Sequence, residues 1–138
     1  MIGDYHVHTK FSSDCNSEPE DLIKKAISLG MNEICFTDHV DFDYPPENGQ
    51  TIFRINTKEY FDTLAALRDS YKNRIKIKIG IELGLNPSIE EMNSSFVKSN
   101  DFDFVIGSSH IINGSYTKAG IGIAADSDGY LYWIAIFN

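Results

Sequence analysis

The chain has 138 residues, 42% hydrophobic and 23% charged, enough for one domain with its own core. A net charge of −8 argues against non-specific nucleic-acid binding, and no stretch reaches the ~20 apolar residues of a membrane helix. Two cysteines, Cys15 and Cys35, make no disulfide framework, and the first residues lack the basic and apolar runs of a signal peptide, so a cytoplasmic location is expected.

Residues 2–8 form a short β-like run ending in polar residues. Ser17 and Glu20 then have the spacing of a capping box, and Leu22, Ile23, Ala26 and Ile27 follow at helical intervals until Gly30 supplies a stop. Residues 33–37 are expected as a second strand, with Ile34, Cys35 and Phe36 as its buried run. A polar loop with Pro45-Pro46 and Asn48-Gly49 separates it from a helix starting near Asn56 or Thr57. The apolar stripe of that helix is Tyr60, Phe61, Leu64, Leu67 and Tyr71. Residues 75–83 read as a third strand. Asn86-Pro87 opens another helix, with Ile89, Met92, Phe96 and Val97 on one face, and residues 102–106 read as a fourth strand.

Alternating β and α elements predict the α/β class, with a parallel sheet and right-handed crossovers. About four βα units fit part of a β/α barrel. They also fit an open doubly wound sheet, an option weakened because no Gly-rich phosphate loop follows the first strand.

The chain has four histidines, His6, His8, His39 and His110, and each is expected at the C-terminal end of a strand. In a β/α barrel that is the end where active sites are built. A single such histidine is more often an ordinary core or surface residue; all of them together are hard to dismiss. His6 and His8 are two apart on an extended segment, so both point to one side, the barrel interior if Tyr5 and Val7 face outward. Two imidazoles so placed can bind one ion, at metal–nitrogen distances of ~2.0–2.1 Å. Glu82 lies in Gly80-Ile81-Glu82-Leu83-Gly84, where flanking glycines let other groups approach, and its carboxylate can bridge two ions. Asp14 is in the loop after the first strand, where a turn-forming role is the competing reading. Asp38 precedes His39 and is expected, with Asp4, to support the ligands from behind; a helix-capping role is its alternative. Cys15 lies nearby, but no motif sets a base beside it, so it reads as a spectator thiol.

Several segments together carry a family resemblance: Asp4-Tyr5-His6-Val7-His8-Thr9, Phe11-Ser12-Ser13-Asp14, Phe36-Thr37-Asp38-His39, Gly80-Ile81-Glu82, and Asp103-Phe104-Val105-Ile106-Gly107-Ser108-Ser109-His110. They resemble the PHP family (polymerase and histidinol phosphatase), most of all its histidinol-phosphatase branch, in motif order and spacing. The resemblance implies a distorted β/α barrel holding two to three divalent ions, zinc, iron or manganese. It implies that His6, His8 and Glu82 serve one ion, Glu82 and His110 a second, and Asp14 and His39 a third. The implied activity is a metal-dependent phosphomonoesterase of histidine biosynthesis acting on histidinol phosphate. The resemblance implies that a metal-activated hydroxide would attack phosphorus, with no protein side chain as nucleophile. Implied partners are that small substrate alone, without nucleic acid or membrane. A nuclease-type activity of the same family, or a non-catalytic remnant that binds metal or a partner, are the alternatives.

The resemblance covers residues 1–115. Family barrels approach the ~250 residues of a β/α barrel, so a further histidine, a late Asp-x-His pair and a basic phosphate-binding residue are expected beyond the part seen here. Residues 116–138 read as an atypical β-hairpin tail, with strands at 119–125 and 130–137 around Asp126-Ser127-Asp128-Gly129. An unclosed sheet edge, and Trp133, Ile134, Ile136 and Phe137, are expected to favour self-association.

Overall fold

The computed structural model describes residues 2–108, 119–125 and 131–137. Five parallel strands form one sheet: β1 (Gly3–Val7), β2 (Glu33–Phe36), β3 (His39–Val40), β4 (Lys76–Gly84) and β5 (Phe104–Ser108). The helices are α1 (Pro19–Ser28), α2 (Thr57–Tyr71) and α3 (Glu90–Lys98), the last entered through a 3-10 turn at Pro87–Ile89. The expected hairpin is an antiparallel pair, β6 (Ala119–Ala125) and β7 (Leu131–Phe137), in a sheet of its own. No helix among the described residues is long and apolar enough to cross a membrane.

β2 and β3 are two pieces of one path. Phe36 lies opposite Ile79 and, three residues on, His39 lies opposite Glu82, so the register along β4 is unbroken. β5 takes the other edge of β4, with Ile106 opposite Glu82. Strand order therefore follows chain order without a reversal. A doubly wound sheet needs a reversal to place helices on both faces; sequential strands with right-handed crossovers carry their helices on one side and curl toward a barrel. The architecture is a partial β/α barrel of the α/β class.

The helix side of the sheet is the apolar core. Ile23 and Ala26 of α1, and Tyr60 and Leu64 of α2, pack on Ile34, Phe36, Ile77 and Ile79. Burying Tyr60 and Leu64 completely contributes about 1.5–3 kcal/mol each. The Tyr60 hydroxyl donates to the Gly80 carbonyl at 2.9 Å, and burial pushes its pKa well above the usual value, so it stays a neutral donor.

Local signals held at some ends and failed at others. Asn56 caps α2 by accepting the Glu59 N–H at 3.2 Å, and Gly30 follows α1 at φ 74°. The capping box at Ser17 does not form. Pro19 opens α1 and keeps the preceding residue extended, so Glu18 becomes the N-cap, without a side-chain cap bond. The Glu18 carboxylate pairs with Lys10 at 2.8 Å, and Glu20 accepts the Tyr71 hydroxyl at 2.7 Å. On α3, Phe96 and Val97 pack inward as expected, but Met92 is 49% exposed and Asn93 is buried, donating to the Gly84 carbonyl at 2.9 Å. Ile89, Asn93, Phe96 and Val97 make one continuous face at helical spacing, and Met92 falls at its edge.

The first strand holds a further correction. Its register to β2 slips between Asp4 and Val7, a β-bulge that adds one residue. Val7 packs outward on the helix-side core. Tyr5, also expected outward, meets Phe104 of β5 edge-on at 5.3 Å, and Lys78 Nζ sits 4.9 Å from the centre of its ring. Since β2 and β4 lie between β1 and β5 in the sheet, this contact crosses the concave side. The bulge thus lets Tyr5 fill the interior while the next residues, His6 and His8, still point the same way.

Candidate metal centre

On β4 the odd-numbered residues Ile77, Ile79, Ile81 and Leu83 enter the apolar clusters, so Gly80, Glu82 and Gly84 face the concave side. Two of those three positions lack a side chain because other groups occupy the space. A Cβ on Gly80 would lie 2.7 Å from the Phe104 carbonyl and 3.0 Å from Cys35 Sγ. A Cβ on Gly84 would overlap the carboxylate of Asp41. Glu82 stands between these positions with its side chain 3% exposed.

Three imidazoles surround that carboxylate. His6 Nε2 and His8 Nε2 each lie 2.8 Å from Glu82 Oε2, and His39 Nε2 lies 3.4 Å away. Asp14 approaches from the loop after β1, with Oδ2 3.2 Å from His8 Nδ1 and 3.5 Å from His39 Nε2. The rings adjoin one another: His6 and His8 centroids are 5.0 Å apart with the rings tilted, and His8 and His39 centroids 4.4 Å apart, edge to face. Two sets of donor atoms, His6/His8/Glu82 and His8/Asp14/His39, each fall within 4.8 Å of one another. Nitrogen and oxygen donors gathered this closely, around a carboxylate withdrawn from water, fit a divalent cation of the zinc, iron or manganese type.

Buried bonds between β1 and the break in β2–β3 hold these groups. Thr37 donates its N–H to the Val7 carbonyl at 2.8 Å, and its hydroxyl accepts the Val7 N–H at 3.1 Å. The Asp38 carboxylate accepts the Thr9 N–H at 2.6 Å and the Thr9 hydroxyl at 3.0 Å. Ser12 Oγ accepts the His39 N–H at 2.7 Å. Burial pushes the Asp38 pKa up, with the bonds from Thr9 and Ser12 opposing that rise by stabilising the anion. Asp38 therefore ties the loop after β1 to the start of β3. Asp4 accepts the His6 N–H at 3.0 Å and so braces the backbone at the bulge.

His6, His8, Asp14, His39 and Glu82 converge as one group. His39 opens β3 rather than closing β2, and His6 lies within β1. His110 lies outside the described residues. Cys15 Sγ donates to the His8 carbonyl at 3.3 Å. Sequence reasoning passed over Asp41, which is 2% exposed and, with the register continued one step, comes opposite Gly84. The clue was Gly84: a strand glycine in a chemical motif marks where a neighbouring group approaches.

Comparison with known proteins agrees with the fold. The PHP domain family model matches residues 4–132. A histidinol-phosphatase of Lactococcus lactis subsp. lactis is 41% identical over 109 residues, 79% of this chain and 39% of that one. A "Probable histidinol-phosphatase" of Clostridium acetobutylicum is 33% identical over 114 residues, 83% of this chain and 41% of that one. The crystal structure of histidinol phosphate phosphatase from Lactococcus lactis subsp. lactis, complexed with Zn, L-histidinol and phosphate, superimposes with a TM-score of 0.75 at 40% identity, covering 80% of this chain and 41% of that one. The chain spans about two fifths of the length of the curated relatives it matches.

Proposed function

The chain belongs to the PHP domain family, and on that premise we propose that it carries part of the metal centre of a phosphomonoesterase acting on histidinol phosphate, a step of histidine biosynthesis. The observation that carries this reading is Glu82, a nearly buried carboxylate with ring nitrogens at 2.8, 2.8 and 3.4 Å. The solved relative with zinc, L-histidinol and phosphate supports the choice of substrate.

His6, His8 and Glu82 would hold one ion, and Asp14 with His39 another, His110 and Glu82 completing a third position. Divalent ions there supply Lewis acidity toward phosphate oxygens and lower the pKa of water at neutral pH. The chain's own part is to fix donor geometry. Asp38 and Thr9 hold the loop bearing His8 and Asp14, and Asp4 braces His6. Residues 1–115 act as the barrel part and 116–138 as a hairpin tail; β6 and β7 form a sheet of their own, which supports the division, while β7 lies beside β5 and the family match runs on to residue 132. Two free cysteines and a small phosphorylated substrate favour a cytoplasmic setting.

The test is total metal analysis of the purified chain beside phosphate release from histidinol phosphate and from single-stranded DNA, with Mn²⁺ or Zn²⁺. Bound metal and a preference for histidinol phosphate are expected, since a net charge of −8 repels a polyanion. A faster rate on DNA would overturn the substrate assignment, and a chain that retains no metal would overturn the metal centre.

A further inference from the structure

Phe53 holds a backbone φ of 51°, in the left-handed region that bulky residues rarely occupy. Strain of this kind persists where surrounding contacts over-determine it. Phe53 donates its N–H to Ser13 Oγ at 2.9 Å, in the loop that follows β1. Its carbonyl accepts the Asp41 N–H at 3.0 Å, just past β3. Its ring lies 5.0 Å from the His39 ring, tilted by 57°, and the Tyr44 ring meets it edge-on at 4.8 Å. The His39 ring thereby touches the rings of both Phe53 and His8.

These contacts converge on two of the proposed ligands. Ser13 precedes Asp14, and Ser12 accepts the His39 N–H. One strained residue joins the segment carrying Asp14 to the segment carrying His39 and places its ring against the His39 imidazole. A glycine at position 53 would adopt φ 51° at ease but would supply no ring. The side chain present is therefore the one that needs the surrounding contacts to stay in place.

We propose that Phe53 is a positioning residue that holds His39 against Asp14, so that a divalent cation between them meets a preformed pair. The inference rests on the metal-centre reading above.

The experiment titrates Zn²⁺ into the metal-free chain by calorimetry, for the natural protein and for Phe53→Gly, Phe53→Asn and Phe53→Tyr, with thermal melting of each metal-free form. Asp14→Asn identifies which class of sites belongs to Asp14 and His39. Phe53→Gly is expected to weaken that class by roughly tenfold, the lower end of what losing an outer support of a metal ligand costs, and to leave the His6/His8/Glu82 class unchanged. Phe53→Tyr should restore it. Phe53→Asn, which also tolerates the left-handed conformation but has no aromatic ring, should behave as Phe53→Gly and serves if the glycine variant does not fold. Equal weakening of both classes would mark a merely structural role and overturn the proposal, as would unchanged binding. A natural chain that binds no Zn²⁺ would sink the metal centre itself, and this inference with it.

Discussion

The two faces of β4 are one strand built to opposite ends. Its helix side carries Ile77, Ile79, Ile81 and Leu83, all nearly or fully buried among apolar neighbours. Its concave side carries Gly80, Glu82 and Gly84, equally withdrawn from water but set against a carbonyl, three imidazoles and a carboxylate. Burial is the same on both sides; its consequence is not. On the apolar side it stabilises the fold by removing hydrocarbon from water. On the polar side it strengthens each electrostatic contact and makes an uncompensated charge costly, which is the condition under which a cation is held firmly.

The largest effect should come from the polar face. Glu82→Gln keeps the shape but removes the charge and one of the two carboxylate oxygens, so metal affinity should fall by at least about 100-fold, exceeding the loss of an outer support. Any phosphate release the natural chain shows should vanish with it, while circular dichroism stays that of the natural chain. Retained metal and activity would show that Glu82 is a spectator of the histidines. On the opposite face, Ile79→Ala should cost about 2–5 kcal/mol in urea unfolding. At temperatures where the variant remains folded, metal content should match the natural chain. If metal affinity falls in step with stability, the two faces are not separable in the way drawn here.

A smaller effect is expected at Gly84. The added methyl of Gly84→Ala overlaps the Asp41 carboxylate, and displacing a buried polar group costs about 1–3 kcal/mol. Asp41→Ala should relieve the clash, so the double variant should be more stable than the sum of the two single changes implies. Simple additivity would mean that Asp41 moves aside freely.

The smallest effect concerns Cys35, whose thiol burial pushes up to about 12 from a usual 9.0. A raised thiol pKa means the folded state favours the protonated form. Its contribution to stability is complete below pH 9 and is lost only as pH rises from there toward 12. At pH 8, iodoacetamide should therefore label Cys15 in the folded chain and reach Cys35 only in denaturant, read by mass spectrometry. Fast labelling of Cys35 without denaturant would mean the concave side opens on that timescale.

Much of this was legible beforehand, for identifiable reasons. Asn56 capping α2, Gly30 ending α1 and the stripe from Tyr60 to Tyr71 depend on local geometry, so periodicity and cap chemistry read them correctly. The joint position of His6, His8, His39 and Glu82 was legible because strand ends in a β/α barrel share one rim. Other features depended on neighbours. The outward placement of Tyr5 failed because the bulge in β1 exists only in its pairing with β2. The cap at Ser17 lost to the extended backbone that Pro19 imposes on Glu18. Met92 lost its inward position to Asn93, which donates to the Gly84 carbonyl. Asp41 was hidden because its meaning comes from Gly84, more than forty residues away in the chain.

By itself the sequence indicated which imidazoles and which carboxylate would gather, on or beside alternating strands, with apolar periodicity marking the opposite faces. Local sterics and solvation set those choices. Only the tertiary structure decided the barrel over the doubly wound sheet, through the unreversed order of β1, β2, β4 and β5. It alone split β2 from β3, so that His39 lies opposite Glu82, and it alone turned Tyr5 inward. These outcomes are set by register between strands distant in sequence. A slip of one residue there exchanges the two faces of a strand, and nothing within either strand records which register the other will take.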